Sequence, residues 1–229
     1  MKPSVLTLLA AGLLFLAPPL ARVAATAEQE HGTEPETAIE ELMAGNERFV
    51  RGEHHALAPT RRQELVEGQH PRVIVLSCSD SRVPPEIVFD QGLGDVFTIR
   101  NAGNVIDAFN LASIEYAAEH LHVEDLLVMG HTRCGAVGAA IEYERTKSTP
   151  PGHLELLLPH VGSYVRPLLA QSLPADALAL RAVELNIRHS LDDIPRRSHM
   201  LGEIIAKGEL RLHGGIYDLV TGKVTLLGH

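Results

Sequence analysis

Short apolar runs alternate with amphipathic segments along most of the chain. Residues 73–76 form a continuous, largely β-branched run, which is typical of a strand covered on both faces of a sheet. Further runs of strand length follow at 96–100 and 126–129. Helical segments separate these runs, and this order predicts parallel strands joined by right-handed crossovers. We therefore expect an α/β fold with a mostly parallel central sheet flanked by helices.

Apolar positions at helical spacing and turn-forming residues predict the remaining elements. The predicted helices or helical turns cover 34–51, 60–68, 84–89, a segment starting near 110, 134–141, 153–171, 175–194 and 196–207, and a terminal pair of strands covers 209–217 and 223–227. Capping signals are expected at Thr33 with Glu36, at Thr60 with Gln63, and at Asn110. The helix at 34–51 has no obvious partner within the chain.

The composition is that of an ordinary globular protein. The chain has 229 residues, of which 45% are hydrophobic and 21% charged, enough for one sizeable core. Its 20 basic and 29 acidic residues give a net charge of −9. An acidic chain without a basic block is a poor candidate for binding nucleic acid, because neutralising phosphates requires clustered lysine and arginine.

The first residues resemble a secretory leader. Lys2 precedes an apolar run at 5–16, and Ala25-Thr26-Ala27 has the form of a signal-peptidase site. We predict a cleaved signal at 1–27, a linker at 28–34 and a single domain at 35–229. The mature protein is then expected in the periplasm, without a membrane anchor, because no cysteine follows the apolar run. An uncleaved N-terminal anchor is the alternative.

Reactive side chains follow two of the predicted strands. Cys78, Asp80 and Arg82 come just after the first strand, and His131 and Cys134 come just after the third. In a parallel sheet both groups emerge at the same edge, so these distant segments form one constellation. Two cysteines in an oxidising compartment would ordinarily indicate a disulfide, but a disulfide leaves the neighbouring carboxylate, guanidinium and imidazole unexplained.

Two thiolates and one imidazole are a ligand set suited to Zn²⁺, and with one open position they can support catalysis. Asp80 has two possible roles. It can be a fourth ligand and close the site, or it can turn to Arg82 and leave the position open to water. The sequence leaves both possibilities open.

Three sequence blocks resemble the β-class carbonic anhydrases. They are Cys-Ser-Asp-Ser-Arg at 78–82, Arg-Asn-Ala-Gly-Asn at 100–104 and Gly-His-Thr-Arg-Cys-Gly at 130–135, and the resemblance runs from about residue 36 to the C-terminus. It implies one Zn²⁺ per chain with Cys78, His131 and Cys134 as ligands, and a zinc-bound hydroxide that attacks CO₂ to give bicarbonate. It also implies that Asp80 and Arg82 form the catalytic dyad, with Asp80 an occasional fourth ligand.

The same resemblance implies a substrate pocket and an assembly. Gln69 corresponds to a donor to a substrate oxygen, Phe97 and Tyr116 to aromatic walls, and Gly103 to a point where the backbone approaches the substrate. Phe97 could equally be ordinary strand core. The family further implies an N-terminal helical arm that packs on a dimer partner, active sites at the dimer interface, and dimers that can pair into tetramers.

Two other functions compete with CO₂ hydration. The same scaffold could hydrolyse a sulfur analogue such as CS₂ or COS, or it could be a non-catalytic zinc-binding module. The Asp80–Arg82 pair argues against the second, because a structural site needs no guarded open position. Arg100 and Asn101 are expected to be structural, anchoring the turn after the second strand.

Overall fold

Five strands form one sheet in the computed structural model, which describes residues 37–56 and 58–228. In chain order they are β1 Val73–Cys78, β2 Val96–Asn101, β3 Asp125–His131, β4 Arg211–Tyr217 and β5 Val224–Leu226. Their order in the sheet is β2-β1-β3-β4-β5, with the first four parallel and β5 antiparallel to β4. The predicted mostly parallel sheet is confirmed. Strands β1 and β3 are longer than predicted, and they include Cys78 and His131, which the sequence analysis placed just beyond them.

Eight α-helices and two 3₁₀ turns accompany the sheet in the described residues. They are α1 Ala38–Val50, α2 Arg61–Glu64, α3 Pro85–Val88, the turn Ala102–Asn104, α4 Ala108–His120, α5 Gly135–Thr146, α6 Leu154–Val165, the turn Arg166–Gln171, α7 Ala175–Arg197 and α8 His199–Ala206. None of these helices has the length and apolar character needed to cross a membrane.

The central strands are buried on both faces. Every residue of β1 and of β3 is buried, which accounts for the unbroken apolar runs in the sequence. Ile74, Leu76, Leu126 and Leu127 have no exposed surface. Burying side chains of this size contributes about 1.5–3 kcal/mol each, so the core that carries the strand ends is strongly held.

Helix α7 lies directly on β3 and β4 because both strands have glycine beneath it. A Cβ at Gly130 would stand 2.8 Å from Ile187 Cδ1 and 2.9 Å from Val183 Cγ1, and one at Gly214 would stand 3.0 Å from Ile187 Cγ2. Any side chain at these positions would push the helix away. The close approach brings the buried face of α7 up to the carboxyl ends of the strands.

Helix α1 has partners in its own chain, contrary to the sequence expectation. The side chain of Asn46 donates to the carbonyls of Val88 and Gly222 and accepts from the N–H of Val224. A Cβ at Gly45 would stand only 1.8 Å from the carbonyl oxygen of Phe89, so α1 also lies against the residue that follows α3.

The capping residues of α1 differ from those expected. The predicted box at Thr33 and Glu36 lies outside the described residues. Thr37 is extended, with φ −127° and ψ 156°, so the helix begins at Ala38. Thr37 Oγ1 accepts from the N–H of Glu40, whose carboxylate accepts from the N–H of Thr37, which forms a capping box four residues later in the chain.

Two other expected caps are wrong. Helix α4 is capped by Asp107, whose Oδ1 accepts from the N–H of Asn110 at 2.8 Å, so Asn110 is the third helical residue and not the cap. Thr60 makes no capping hydrogen bond, and the helix that follows it ends at Glu64 instead of Gly68.

The C-terminal helices break at different points from those predicted. The segment predicted at 153–171 is divided into α6 and the 3₁₀ turn Arg166–Gln171. Helix α7 continues through Pro195 and ends at Arg197. The break comes at Ser198, because its Oγ caps α8 by accepting from the N–H of Leu201 at 3.2 Å.

A buried carboxylate joins β3 to β4 at the amino edge of the sheet. The side chain of Asp125 is 1% exposed, and it accepts two hydrogen bonds from Arg211, at 2.9 and 2.7 Å. His213 Nε2 lies 2.8 Å from Asp125 Oδ1. Burial alone would raise the pKa of Asp125, but the bonds from His213 and Arg211 outweigh it and hold that pKa at about 2.

We expect Asp125 to make the fold sensitive to acid. Because its folded pKa is below the ordinary 3.8, its stabilisation is complete above about pH 4 and is lost as the pH falls towards 2. The shift corresponds to about 2 kcal/mol. Asp125→Asn should lower the free energy of unfolding in urea at pH 7 by at least that amount, and the difference from the wild type should shrink below pH 4.

The exposed Asp192, whose side chain is 66% accessible, provides a matched control. Asp192→Asn should change the unfolding free energy by less than about 0.5 kcal/mol. A wild-type protein and an Asp125→Asn variant with the same unfolding free energy from pH 7 to pH 3 would contradict this account.

Candidate metal centre

Three buried ligand atoms meet at the carboxyl edge of the sheet. Cys78 is the last residue of β1, His131 is the last residue of β3, and Cys134 directly precedes α5. Their sulfur and nitrogen atoms all lie within 4.8 Å of one another. The chain leaves β1 towards β2 on one side and later returns to β3 on the other, so the cluster occupies the switch point of the sheet.

The tight turn after β3 directs Cys134 back towards the cluster. Arg133 adopts a left-handed conformation with φ 56°, which reverses the chain within three residues. Cys134 then occupies the cap position of α5, where the N–H groups of Ala136 and Val137 favour its thiolate form. The first turn of a helix thus provides part of the positive potential at the site.

His131 presents an unprotonated nitrogen to the cluster. Its Nδ1 lies 3.0 Å from the carbonyl oxygen of Thr132, and since a carbonyl only accepts, Nδ1 carries the proton. The lone pair is therefore on Nε2. This atom is buried and has no hydrogen-bond partner among the described residues. A buried acceptor without a partner is costly, and a metal ion at the cluster would satisfy it.

The two cysteines are free and share a buried site. A hydrogen bond from Cys134, against the opposing effect of burial, and further bonds from the N–H groups of Gly103 and Asp80 lower the pKa of Cys78 to about 4. The pKa of Cys134 is raised, because a second thiolate would form beside the first in a buried place. Zn²⁺ can displace that last proton, and the S₂N donor set fits this ion.

Asp80 is paired with Arg82 beside the cluster. Arg82 Nε and its terminal nitrogen donate to the two carboxylate oxygens at 2.9 and 2.7 Å, and the N–H of Arg82 donates to Oδ1 at 3.0 Å. These bonds lower the pKa of Asp80 well below its usual range. Asp80 Oδ2 nevertheless remains 3.9 Å from His131 Nε2, so the carboxylate borders the cluster while Arg82 holds it.

Arg100 secures the loop between Cys78 and Asp80. Its guanidinium donates to the carbonyl of Cys78 at 3.0 Å and to that of Asp80 at 2.6 Å. The sequence predicts that Arg100 anchors the turn after β2. In the structure its side chain anchors the loop after β1 instead. Asn101 does anchor the turn after β2, since its amide pairs with both backbone groups of Val105.

Comparison with known proteins identifies the family. The carbonic anhydrase family model matches residues 73–224. Carbonic anhydrase 2 of Mycobacterium tuberculosis is 40% identical over 202 residues, which cover 86% of this chain and 95% of that protein. The chain belongs to the β-class carbonic anhydrases.

Solved β-carbonic anhydrases have the same fold. CafA of Aspergillus fumigatus superposes with a TM-score of 0.67 at 31% identity, covering 82% of this chain and 90% of that one. A structure from a study of two tetrameric β-carbonic anhydrases of Sordaria macrospora gives a TM-score of 0.67 at 29% identity, covering 75% of this chain and 87% of that one. This carbonic anhydrase accordingly catalyses the reversible, zinc-dependent hydration of CO₂.

One predicted pocket residue of this carbonic anhydrase lies at the cluster. Gly103, in the 3₁₀ turn Ala102–Asn104, has φ +76°, and its N–H points at Cys78 Sγ over 3.3 Å. A Cβ here would stand 3.1 Å from Ala136 Cβ. Both the left-handed backbone and the close packing therefore favour glycine.

The other three predicted pocket residues lie away from the cluster of their own chain. Phe97 pairs in register with Ile74, four residues before Cys78, or roughly 13 Å along the strand. Tyr116 is half exposed, and its ring centroid lies 6.3 Å from that of Phe97. Gln69 is exposed in the segment that precedes β1.

Two polar residues that contact the turn Ala102–Asn104 were not predicted. Asn186 and Ser190 lie on the buried face of α7, and they donate to the carbonyls of Gly103 and Asn104 at 2.7 and 3.1 Å. Polar side chains one helical turn apart, among apolar neighbours such as Ile187, were the only available signal in the sequence.

Proposed function

We propose that this carbonic anhydrase works with an open metal centre, in which Arg82 holds Asp80 off the fourth position so that water can enter. The observation that carries the proposal is the two-pronged ion pair between Arg82 and both oxygens of Asp80, at 2.9 and 2.7 Å. Zn²⁺, when bound by Cys78, His131 and Cys134, acts as a Lewis acid that makes water nucleophilic at ordinary pH.

Asp80 would orient the attacking water. Its low pKa keeps it ionised throughout the working range of pH, so it remains a hydrogen-bond acceptor. Because Oδ2 faces the cluster, 3.9 Å from His131 Nε2, it can accept the hydrogen of a water that reaches the centre and turn the lone pair of that water towards CO₂. Arg82 fixes the direction of this acceptor.

We expect Asp80→Asn to retain zinc but to lower the turnover number for CO₂ hydration by about 100-fold, because an amide neither binds Arg82 in the same way nor accepts as strongly. Stopped-flow hydration and metal analysis on the same purified sample measure both quantities. Asp95 is the matched control, since it is paired with Arg61 at 3.0 Å and precedes β2 at the opposite edge of the sheet.

Asp95→Asn should change turnover less than twofold. Zinc at one per chain in the wild type, without hydration above the buffer rate, would overturn the proposed function. Loss of zinc from Asp80→Asn would instead assign Asp80 a structural role at the metal.

We further propose that the active unit is at least a homodimer, and that two dimers can pair into a tetramer. Strand β2 is at the edge of the sheet, so among residues 37–56 and 58–228 no other strand pairs with one row of its backbone groups. Phe97 and Tyr116 lie along this region, distant from the cluster of their own chain, and Phe109 is 85% exposed. If Phe97 and Tyr116 form the aromatic wall of a substrate pocket, that pocket belongs to a second subunit.

We also propose a periplasmic location for the mature enzyme, and the leader that the sequence predicts at 1–27 supports it. A lysine, an apolar run and the sequence Ala25-Thr26-Ala27 are the features that a signal peptidase reads. The mature chain would then begin at Glu28.

One preparation tests both the location and the assembly. After expression of the full chain in a Gram-negative host, the protein should be found in the periplasmic fraction, begin at Glu28, and have a native mass equal to two or four chains. Protein that stays in the cytoplasm or the membrane with its leader intact would contradict the proposed location. A monomer that is fully active in CO₂ hydration would contradict the proposed assembly.

A further inference from the structure

A buried amide on α7 is joined to the metal centre through one glycine. Asn186 is 1% exposed, and its Nδ2 donates to the carbonyl of Gly103 at 2.7 Å. The N–H of the same glycine donates to Cys78 Sγ at 3.3 Å. Gly103 therefore makes two hydrogen bonds: its carbonyl accepts one from α7, and its N–H donates one to the thiolate.

An asparagine at this buried position is unfavourable for the stability of the fold, which indicates a role other than packing. Its Oδ1 is buried and has no hydrogen-bond partner among the described residues. An unpaired buried acceptor destabilises the folded state, and an apolar residue at this place would avoid that cost. The neighbouring Ile187 and Val183, which are both buried, show what the rest of this helix face is made of.

The turn that contains Gly103 needs an external constraint. Gly103 and Asn104 both have positive φ, at 76° and 44°. Such a conformation is readily lost in a short turn, and an N–H to sulfur bond weakens steeply as its direction changes. Helix α7 can impose the constraint, because Gly130 and Gly214 let it lie against β3 and β4.

We propose that Asn186 is a positioning residue for the metal centre, holding the N–H of Gly103 on the sulfur of Cys78. This inference rests on the metal-binding function proposed for the cluster. The bond from Gly103 withdraws charge from the thiolate, and so sets how strongly the sulfur donates to the metal. Ser190, which bonds the next carbonyl in the turn, supports the turn without acting on Gly103.

Replacement of zinc by Co²⁺ gives a readout that does not depend on catalysis. In the variant Asn186→Leu, which keeps a similar volume and loses the donor, the sulfur-to-Co²⁺ charge-transfer band should move to longer wavelength, because the thiolate loses a hydrogen bond. Competition with a chelator should show zinc bound about tenfold more weakly. Ser190→Ala, which also removes a buried bond to this turn, should leave the band in place and the zinc affinity within about twofold.

The possible results distinguish a failure of the proposed function from a failure of the role proposed for Asn186. A wild-type protein that takes up neither Co²⁺ nor Zn²⁺ would contradict the proposed function itself. A wild-type protein that binds both, with an Asn186→Leu variant identical in band and affinity, would overturn only the role of Asn186. An equal shift in Ser190→Ala would also overturn it, by showing a general loosening of the turn.

A measurement on the unmodified chain covers the case in which Asn186→Leu does not fold. In protein loaded with ¹¹³Cd, the amide proton of Gly103 should show a scalar coupling to the metal through the hydrogen bond to Cys78 Sγ. Absence of that coupling in an otherwise assigned spectrum would overturn the inference.

Discussion

The parallel pairing of β1 with β3 is the constraint on which the rest of the structure depends. It places the last residues of both strands, Cys78 and His131, at one edge of the sheet, although 52 residues separate them in sequence. Gly130 fixes the register of β3, since a slip by one residue would bring a side chain to a place where Ile187 and Val183 leave no room for a Cβ. A site that tolerates little displacement is thus supported by the most deeply buried part of the fold.

The second requirement is electrostatic. Two sulfurs that must both become thiolates lie in a buried site, where a second negative charge beside the first is unfavourable. The chain provides fixed donors at these groups. They are the start of α5 at Cys134, the N–H of Gly103 at Cys78, and the guanidinium of Arg82 that neutralises Asp80. These groups lower the free energy of the charged state before any ion binds, so that metal binding has only one firmly held proton to displace.

The sequence was sufficient for the central strands and for the cluster because both rest on local signals. Continuous apolar runs predicted β1 and β3, and the three matched blocks predicted the residues that meet at their ends. The cap of α4 was missed because Asp107 and Asn110 are both capable caps three residues apart, and only the backbone distinguishes them. Asn186 was missed because its partner Gly103 is 83 residues away, and no local pattern reports such a contact. The direction of Asp80 was left open, and it follows from the geometry of Arg82.

The central claim is that the metal centre is open, with Asp80 held by Arg82. A crystal structure of the zinc-loaded protein at neutral pH tests this most directly. We predict two sulfur ligands at about 2.3 Å and one imidazole nitrogen at about 2.0 Å from the metal, no protein atom in the fourth position, and both oxygens of Asp80 on Arg82. An Asp80 oxygen at about 2.0–2.2 Å from zinc, with the pair to Arg82 broken, would contradict the account.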